Sequence, residues 1–192
     1  SPEDGRRLGL QGMIDLVLKE SDFPLPCEGV ERRAGELHPA NAALIARFIT
    51  AVEEAKARQN GCLRSLTDAL LKKVSRNVPI LGFTGPGGAG KSSLVDELVT
   101  RFINDFPQKR VAVVSVDPTK RRTGGALLGD RIRMNSLASG RVYMRSLSTR
   151  RAESEIPDAL PEVLTVLRAA DFDFIVVETA GIGQGDAAIV PH

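Results

Sequence analysis

"GFTGPGGAGKSSL", Gly82 to Leu94, places five glycines and one lysine between an apolar run and a leucine-bearing run of helical period. Within it, residues 85–92 read Gly-Pro-Gly-Gly-Ala-Gly-Lys-Ser and match G-x-x-x-x-G-K-[ST]. The glycines let successive backbone N–H groups turn inward at torsions that a Cβ would forbid, which makes a cradle for phosphate. A helix beginning near Lys91 adds the positive end of its dipole at the same point. Lys91 has the length to reach the β- and γ-phosphates, and the Ser92 hydroxyl is placed to ligate Mg²⁺. The candidate phosphate ligands are therefore Gly85, Gly87, Gly88, Ala89, Gly90, Lys91, Ser92 and Ser93.

Upstream, "VPILGFTG" reads as a short strand feeding the loop, and downstream residues 91–105 read as a helix with Val95, Leu98, Val99 and Phe102 on one face. "RVAVVSVDP", "RVYMRSL" and "DFDFIVVETAG" are three further strands, and Leu160, Leu164 and Leu167 mark a helix between the last two. Near-continuous apolar runs are the mark of strands buried on both faces, and strands alternating with helices predict a parallel α/β sheet with right-handed crossovers. Ligands of such sheets bind at the carboxyl ends of the strands, where three acids stand as metal candidates: Asp117 after "VVSV", Asp130 in "GDRIRM" and Glu178 in "VVETAG". Gly181 follows Glu178 at the spacing that lets a glycine N–H sense the γ-phosphate. "DPTKRRTGGALLGDRIRM", with Lys120, Arg121 and Arg122, reads either as a solvated loop or as a switch segment ordered by γ-phosphate and Mg²⁺.

Composition narrows the function classes. Hydrophobic content of 42% with 26% charged residues is that of a soluble globular protein, and a net charge of +2 argues against a nucleic-acid scaffold or basic membrane anchor. Aromatics at 4%, with no Trp, leave little for stacking on bases. Cys27 and Cys62 stand far apart and read as free thiols, while His38 and His192 lack neighbours at zinc-ligand spacing. No apolar run approaches the roughly 20 residues that span a bilayer, and "SPEDGRRLGLQG" lacks the apolar centre of a signal peptide. A cytoplasmic location is the expectation.

The first 75 residues read as largely helical and without chemistry of their own. Leu10, Met13, Ile14 and Val17 predict an amphipathic helix over residues 5–20. "SDFPLPCEGVERRAGELHP" has the breaker density of an irregular linker. A second helix starts near Asn41, carries Ile45, Phe48, Ile49 and Val52, and ends at Asn60-Gly61, where Gly61 is expected to turn left-handed. Leu63, Leu66, Leu70 and Val74 predict a third.

"VDPTKRRTGGALLGDRIRM" together with "ETAGIGQGD" resembles the GTPases that chaperone adenosylcobalamin-dependent acyl-CoA mutases, across about residues 78–190. The resemblance implies a P-loop fold binding GTP/GDP and Mg²⁺, with hydrolysis stimulated by the mutase and gating cobalamin loading and repair. It implies that Asp117, Asp130 and Glu178 form the metal and switch shell, and that Glu178 to Gln184 is the hydrolysis-sensing turn, with Lys91, Glu178 and Gln184 catalytic. "SPEDGRRLGLQGMIDLVLKESD" and "STRRAESEIPDALPEVL" are most similar to the G domain of the fused isobutyryl-CoA mutase group. On that resemblance residues 1–22 are the last helix of a cobalamin-binding domain, 23–76 a helical linker and 77–192 the N-terminal part of the G domain. The chain then reads as an internal piece with a C-terminally incomplete sheet, its partners being cobalamin-binding and mutase domains of the same polypeptide, in a homodimer. Adenosylcobalamin belongs to the intact protein, since no Asp-x-His motif occurs here. The Asn-Lys-x-Asp motif that reads guanine in these GTPases is absent as well, so guanine preference rests on the resemblance.

Two other readings stay open at this level. A P-loop kinase or ATP-dependent ligase would show ATP outcompeting GDP. A non-catalytic interaction module would carry an inert nucleotide site, and its residues 1–75 would dock partner domains.

Overall fold

The computed structural model describes residues 2–21, 29–58, 61–118, 134–149 and 156–179. Four strands, β1 (Ile80–Phe83), β2 (Val111–Pro118), β3 (Val142–Thr149) and β4 (Phe174–Thr179), form one sheet in the order β1-β4-β2-β3. All three pairings are parallel, as the alternation of strands and helices requires. Among the described residues five α-helices accompany it: α1 (Pro2–Ser21), α2 (Ala42–Arg58), α3 (Cys62–Lys73), α4 (Lys91–Asp105) and α5 (Leu160–Ala169).

β2 shows why its sequence is almost wholly apolar. Val111 and Val113 point into one hydrophobic layer with Val95, Val99 and Ile103 of α4, together with Met144 and Val176. Ala112, Val114 and Val116 point into the other, with α2, α3 and α5. The period-2 alternation of a strand thus meets apolar surface on both sides. The result is three layers, and burial rather than local propensity holds them together.

The helical stretch before the sheet is part of that second layer. Ile45, Phe48, Ile49, Val52, Leu66 and Leu70 are fully buried and share a continuous core with Ile175 and Val177 of β4. α2 begins where the Asn41 side chain accepts the Leu44 N–H at 3.2 Å, an N-cap. Two expectations for this region are corrected. Part of the stretch that reads as an irregular linker, Val30–Glu36, is a 3-10 turn whose Val30 and Ala34 are buried, because apolar residues three to four apart find the α3 surface. Gly61 has φ −63° and ψ −11°, right-handed, because it caps the start of α3 rather than closing α2.

α1 departs from a single smooth helix. Gly9, at φ 63° and ψ 175°, breaks it, and from there Leu10, Met13, Ile14, Leu16, Val17 and Leu18 are all exposed. The apolar stripe exists in sequence but is not buried by the described residues.

At the amino ends of the strands, Asp173 gathers three donors just before β4. It accepts Lys109 Nζ at 2.9 Å, the Arg110 N–H at 2.9 Å and Arg76 Nη2 at 3.0 Å, so the segment after α3 is tied to the starts of β2 and β4. Burial alone would push its carboxyl up. The Lys109 ammonium, the Arg110 amide and Arg76 outweigh burial and hold it below the usual carboxylate range. Asp173→Asn is therefore expected to cost about 2 kcal/mol, the scale of charge-assisted hydrogen bonds, and to lower Tm by roughly 4–8 °C. The unfolded carboxyl titrates near ~3.9 and the folded one lower, so this contribution is complete above about pH 5 and is lost as pH falls through the folded value. Thermal unfolding of both proteins from pH 7 to 3 should show the gap closing at the acid end; a gap independent of pH would refute the ionic origin.

Candidate functional site

The loop of residues 84–90 leaves β1 and turns into α4 at the carboxyl edge of the sheet. Gly85, Gly88 and Gly90 have φ of 141°, 79° and 84°, so three of the glycines occupy the region that L side chains avoid. Gly90 caps α4 in the left-handed conformation while its carbonyl accepts the Leu94 N–H at 2.9 Å. Pro86 to Gly90 are exposed, open to a ligand from solvent.

Lys91 is the first residue of α4, and its side chain doubles back across the loop. Nζ donates to the carbonyls of Gly85 at 2.6 Å and Pro86 at 3.1 Å. One ammonium thus lies at the mouth of the cradle, beside the amino end of a 15-residue helix. Ser93 follows in the first turn and is exposed.

Ser92 and Glu178 are 86 residues apart in the chain, yet the Ser92 hydroxyl donates to Glu178 Oε1 at 2.5 Å. The topology explains the meeting. β4 lies beside β1, with Glu178 opposite Phe83, and Glu178 shares a sheet face with Val176, the face that α4 covers. Glu178 is only 5% exposed, and a buried carboxylate is costly unless hydrogen-bonded or held by a cation. A buried carboxylate and a hydroxyl meeting at the end of a phosphate cradle are the hard oxygen donors that Mg²⁺ takes, alongside phosphate oxygens.

Asp117 lies at the carboxyl end of β2, one residue beyond Val116, which pairs with Thr179 of β4. Its backbone is thus on the same edge as the loop and Glu178; its side chain lies outside those described. Asp130, Gly181, Gln184 and the candidate switch segment with Lys120, Arg121 and Arg122 lie outside the described residues.

The structure adds residues that no motif marked. Asp96, one helical turn after Ser92, accepts the N–H groups of Asn135 and Ser136, each at 3.0 Å, and so pins the 3-10 turn Asn135–Ser139 to α4. Burial pushes its carboxyl up, but those amides outweigh it and leave it below the usual range. Arg141 closes the other end of α4, donating from Nη1 to the carbonyls of Ile103 at 2.6 Å and Pro107 at 3.0 Å. Thr179 hydrogen-bonds Thr84 at the start of the loop.

Residues 45–191 match the family described as methylmalonyl Co-A mutase-associated GTPase MeaB. The chain is 52% identical to a fused isobutyryl-CoA mutase of Geobacillus kaustophilus over 98% of its own length and 18% of the relative's. It is 49% and 50% identical to proteins of the same description from Cupriavidus metallidurans and Nocardia farcinica, over 100% of this chain and 17% of each. The chain therefore spans less than a fifth of the length of these curated relatives. With a glycine loop closed by a serine–glutamate pair on a parallel sheet, and a match to this family over most of its length, the chain belongs to the MeaB family of GTPases.

Proposed function

We propose that this chain is the G domain of a fused acyl-CoA mutase of the isobutyryl-CoA type, and that Mg²⁺-dependent GTP hydrolysis at this site gates loading and repair of the mutase's cobalamin. The observation that carries the hydrolytic part is the Ser92–Glu178 pair at the end of the glycine loop. The link to a mutase is supported by relatives of that description, which align with nearly all of this chain. In this reading the loop amides and Lys91 hold the β- and γ-phosphates, and Ser92 holds Mg²⁺ with Glu178 facing its water shell. Asp117 and Asp130 supply further acid, and Gly181 and Gln184 sense the γ-phosphate and place water. The metal, when bound, neutralises charge that builds up on the phosphate oxygens. Catalysis by the protein is then positioning and charge stabilisation, with no covalent intermediate.

The exposed apolar residues of α1, Leu10 to Leu18, fit a helix that completes a preceding cobalamin-binding domain of the same polypeptide. The reading also places the intact protein in the cytoplasm as a homodimer, with adenosylcobalamin bound outside this segment.

The test is nucleotide competition in the full-length polypeptide, using a fluorescent GDP and following phosphate release with Mg²⁺. GTP and GDP are expected to displace the probe far better than ATP, with turnover lost in EDTA. Preferential ATP binding would move the site to a kinase or ligase, and absence of any nucleotide binding would leave an interaction module.

A further inference from the structure

β4 holds the phosphate loop at both ends, and only one of the two contacts belongs to the metal site described above. Glu178 and Thr179 are its last two residues, and in a strand their side chains point to opposite faces. Glu178 reaches Ser92, immediately after Lys91, on the face covered by α4. Thr179, 2% exposed, lies on the face of Val177, toward α2, α3 and α5. Its hydroxyl donates to the Phe83 carbonyl at 3.4 Å and pairs with Thr84 Oγ1 at 3.3 Å. Thr84 leads directly into Gly85, the first residue of the cradle.

From this juxtaposition we infer that Thr179 is a positioning residue: it fixes the start of the phosphate loop relative to Glu178, so that the metal-facing carboxylate and the phosphate cradle keep one spacing. A loop rich in glycine has little stiffness of its own, and three of its residues lie in conformations with no side-chain barrier to hold them. Its spacing from β4 must come from its two ends. Without the Thr179 hydroxyl the loop loses its side-chain tie at Thr84, just past the last ladder pair Phe83–Glu178, while the Ser92–Glu178 contact stays. The cradle and the Glu178 carboxylate would then no longer be held at one spacing, and the binding of Mg²⁺ between them would be sensitive to such a change. The inference rests on the Mg²⁺–nucleotide reading of the site.

The test compares Thr179→Val, which keeps the shape and removes the hydroxyl, with Thr179→Ser, which keeps the hydroxyl. Fluorescent GDP affinity is measured in the full-length polypeptide in saturating Mg²⁺ and in EDTA, without turnover. For the valine variant, the ratio of the two affinities is expected to fall about fivefold, the scale of one hydrogen bond. The EDTA value should stay within about twofold, and serine should restore the ratio. A thermal midpoint that falls while the ratio stays unchanged would make Thr179 merely structural and overturn the inference, as would failure of serine to rescue. Should Thr179→Val not fold, Thr179→Ala replaces it and is expected to lower the ratio likewise, with serine again restoring it; an unchanged ratio there is equally fatal. If the wild-type protein binds no GDP, or binds it with no Mg²⁺ dependence, the functional reading fails first, and that outcome is distinct from a wild-type ratio shared by the valine variant.

Discussion

Lys91→Ala should reduce GTP hydrolysis by the full-length polypeptide at least ~10³-fold while leaving the fold intact, the scale seen when a preorganised charge or donor is removed from a transition state. The ammonium stands over the loop, bonded to the Gly85 and Pro86 carbonyls, and is the one side-chain cation placed at the cradle among the described residues. Phosphoryl transfer spreads negative charge over the equatorial oxygens, so the fixed positive charge counts for more as the reaction proceeds than in the bound ground state. Alanine at the first position of α4 is a strong helix former and removes no core packing, since Lys91 contributes to neither apolar layer. Single-turnover phosphate release checks the rate, and circular dichroism with Tm checks the fold. A rate within about tenfold of wild type would remove Lys91 from the chemistry.

Glu178→Gln is the second large effect. Glutamine keeps an acceptor for the Ser92 hydroxyl and nearly the same volume, so the change isolates the charge. The Mg²⁺ concentration for half-maximal hydrolysis should rise at least about tenfold and the saturated rate should fall roughly 10²-fold, because the negative charge that would face the metal's water shell is gone. Stability should stay level or rise, since a carboxylate only 5% exposed carries a desolvation cost that a neutral amide avoids. That opposition is diagnostic. A damaged fold would lower rate and Tm together, whereas a metal-facing acid lowers the rate alone. An unchanged Mg²⁺ titration would assign Glu178 to structure only.

Both expectations are legible in the sequence alone, and for a physical reason. The phosphate loop is a contiguous motif in which glycine, lysine and serine are each required by backbone torsion, charge or a hydroxyl at a set distance along the chain. α4 was likewise legible, bounded by Lys91 and Asp105 as its apolar period predicts, because one face of it is buried along its length. The same holds for the apolar runs that became β2 and β4.

Local pattern served less well where the deciding partner was distant. Breakers between Asp22 and Pro39 read as a linker, yet Val30 and Ala34 are buried because α3 offers a surface 30 to 40 residues away. Gly61 carried the signature of a helix end and instead opens the next helix. α1 shows another limit: Leu10, Met13, Ile14 and Val17 predict an amphipathic helix, the helix forms, and those four side chains are not covered by the described residues. A period records that a face is apolar, not what covers it.

The chain's own letters determined the cradle, its cation, its serine and the α/β alternation, all properties of neighbours within a few residues. Tertiary structure alone decided the strand order β1-β4-β2-β3, and with it the meeting of Ser92 with Glu178 and of Thr84 with Thr179. Those contacts join residues 86 and 95 positions apart. Such pairings depend on which strand lies beside β1, and that choice is made by the packing of two apolar layers rather than by any local run of sequence.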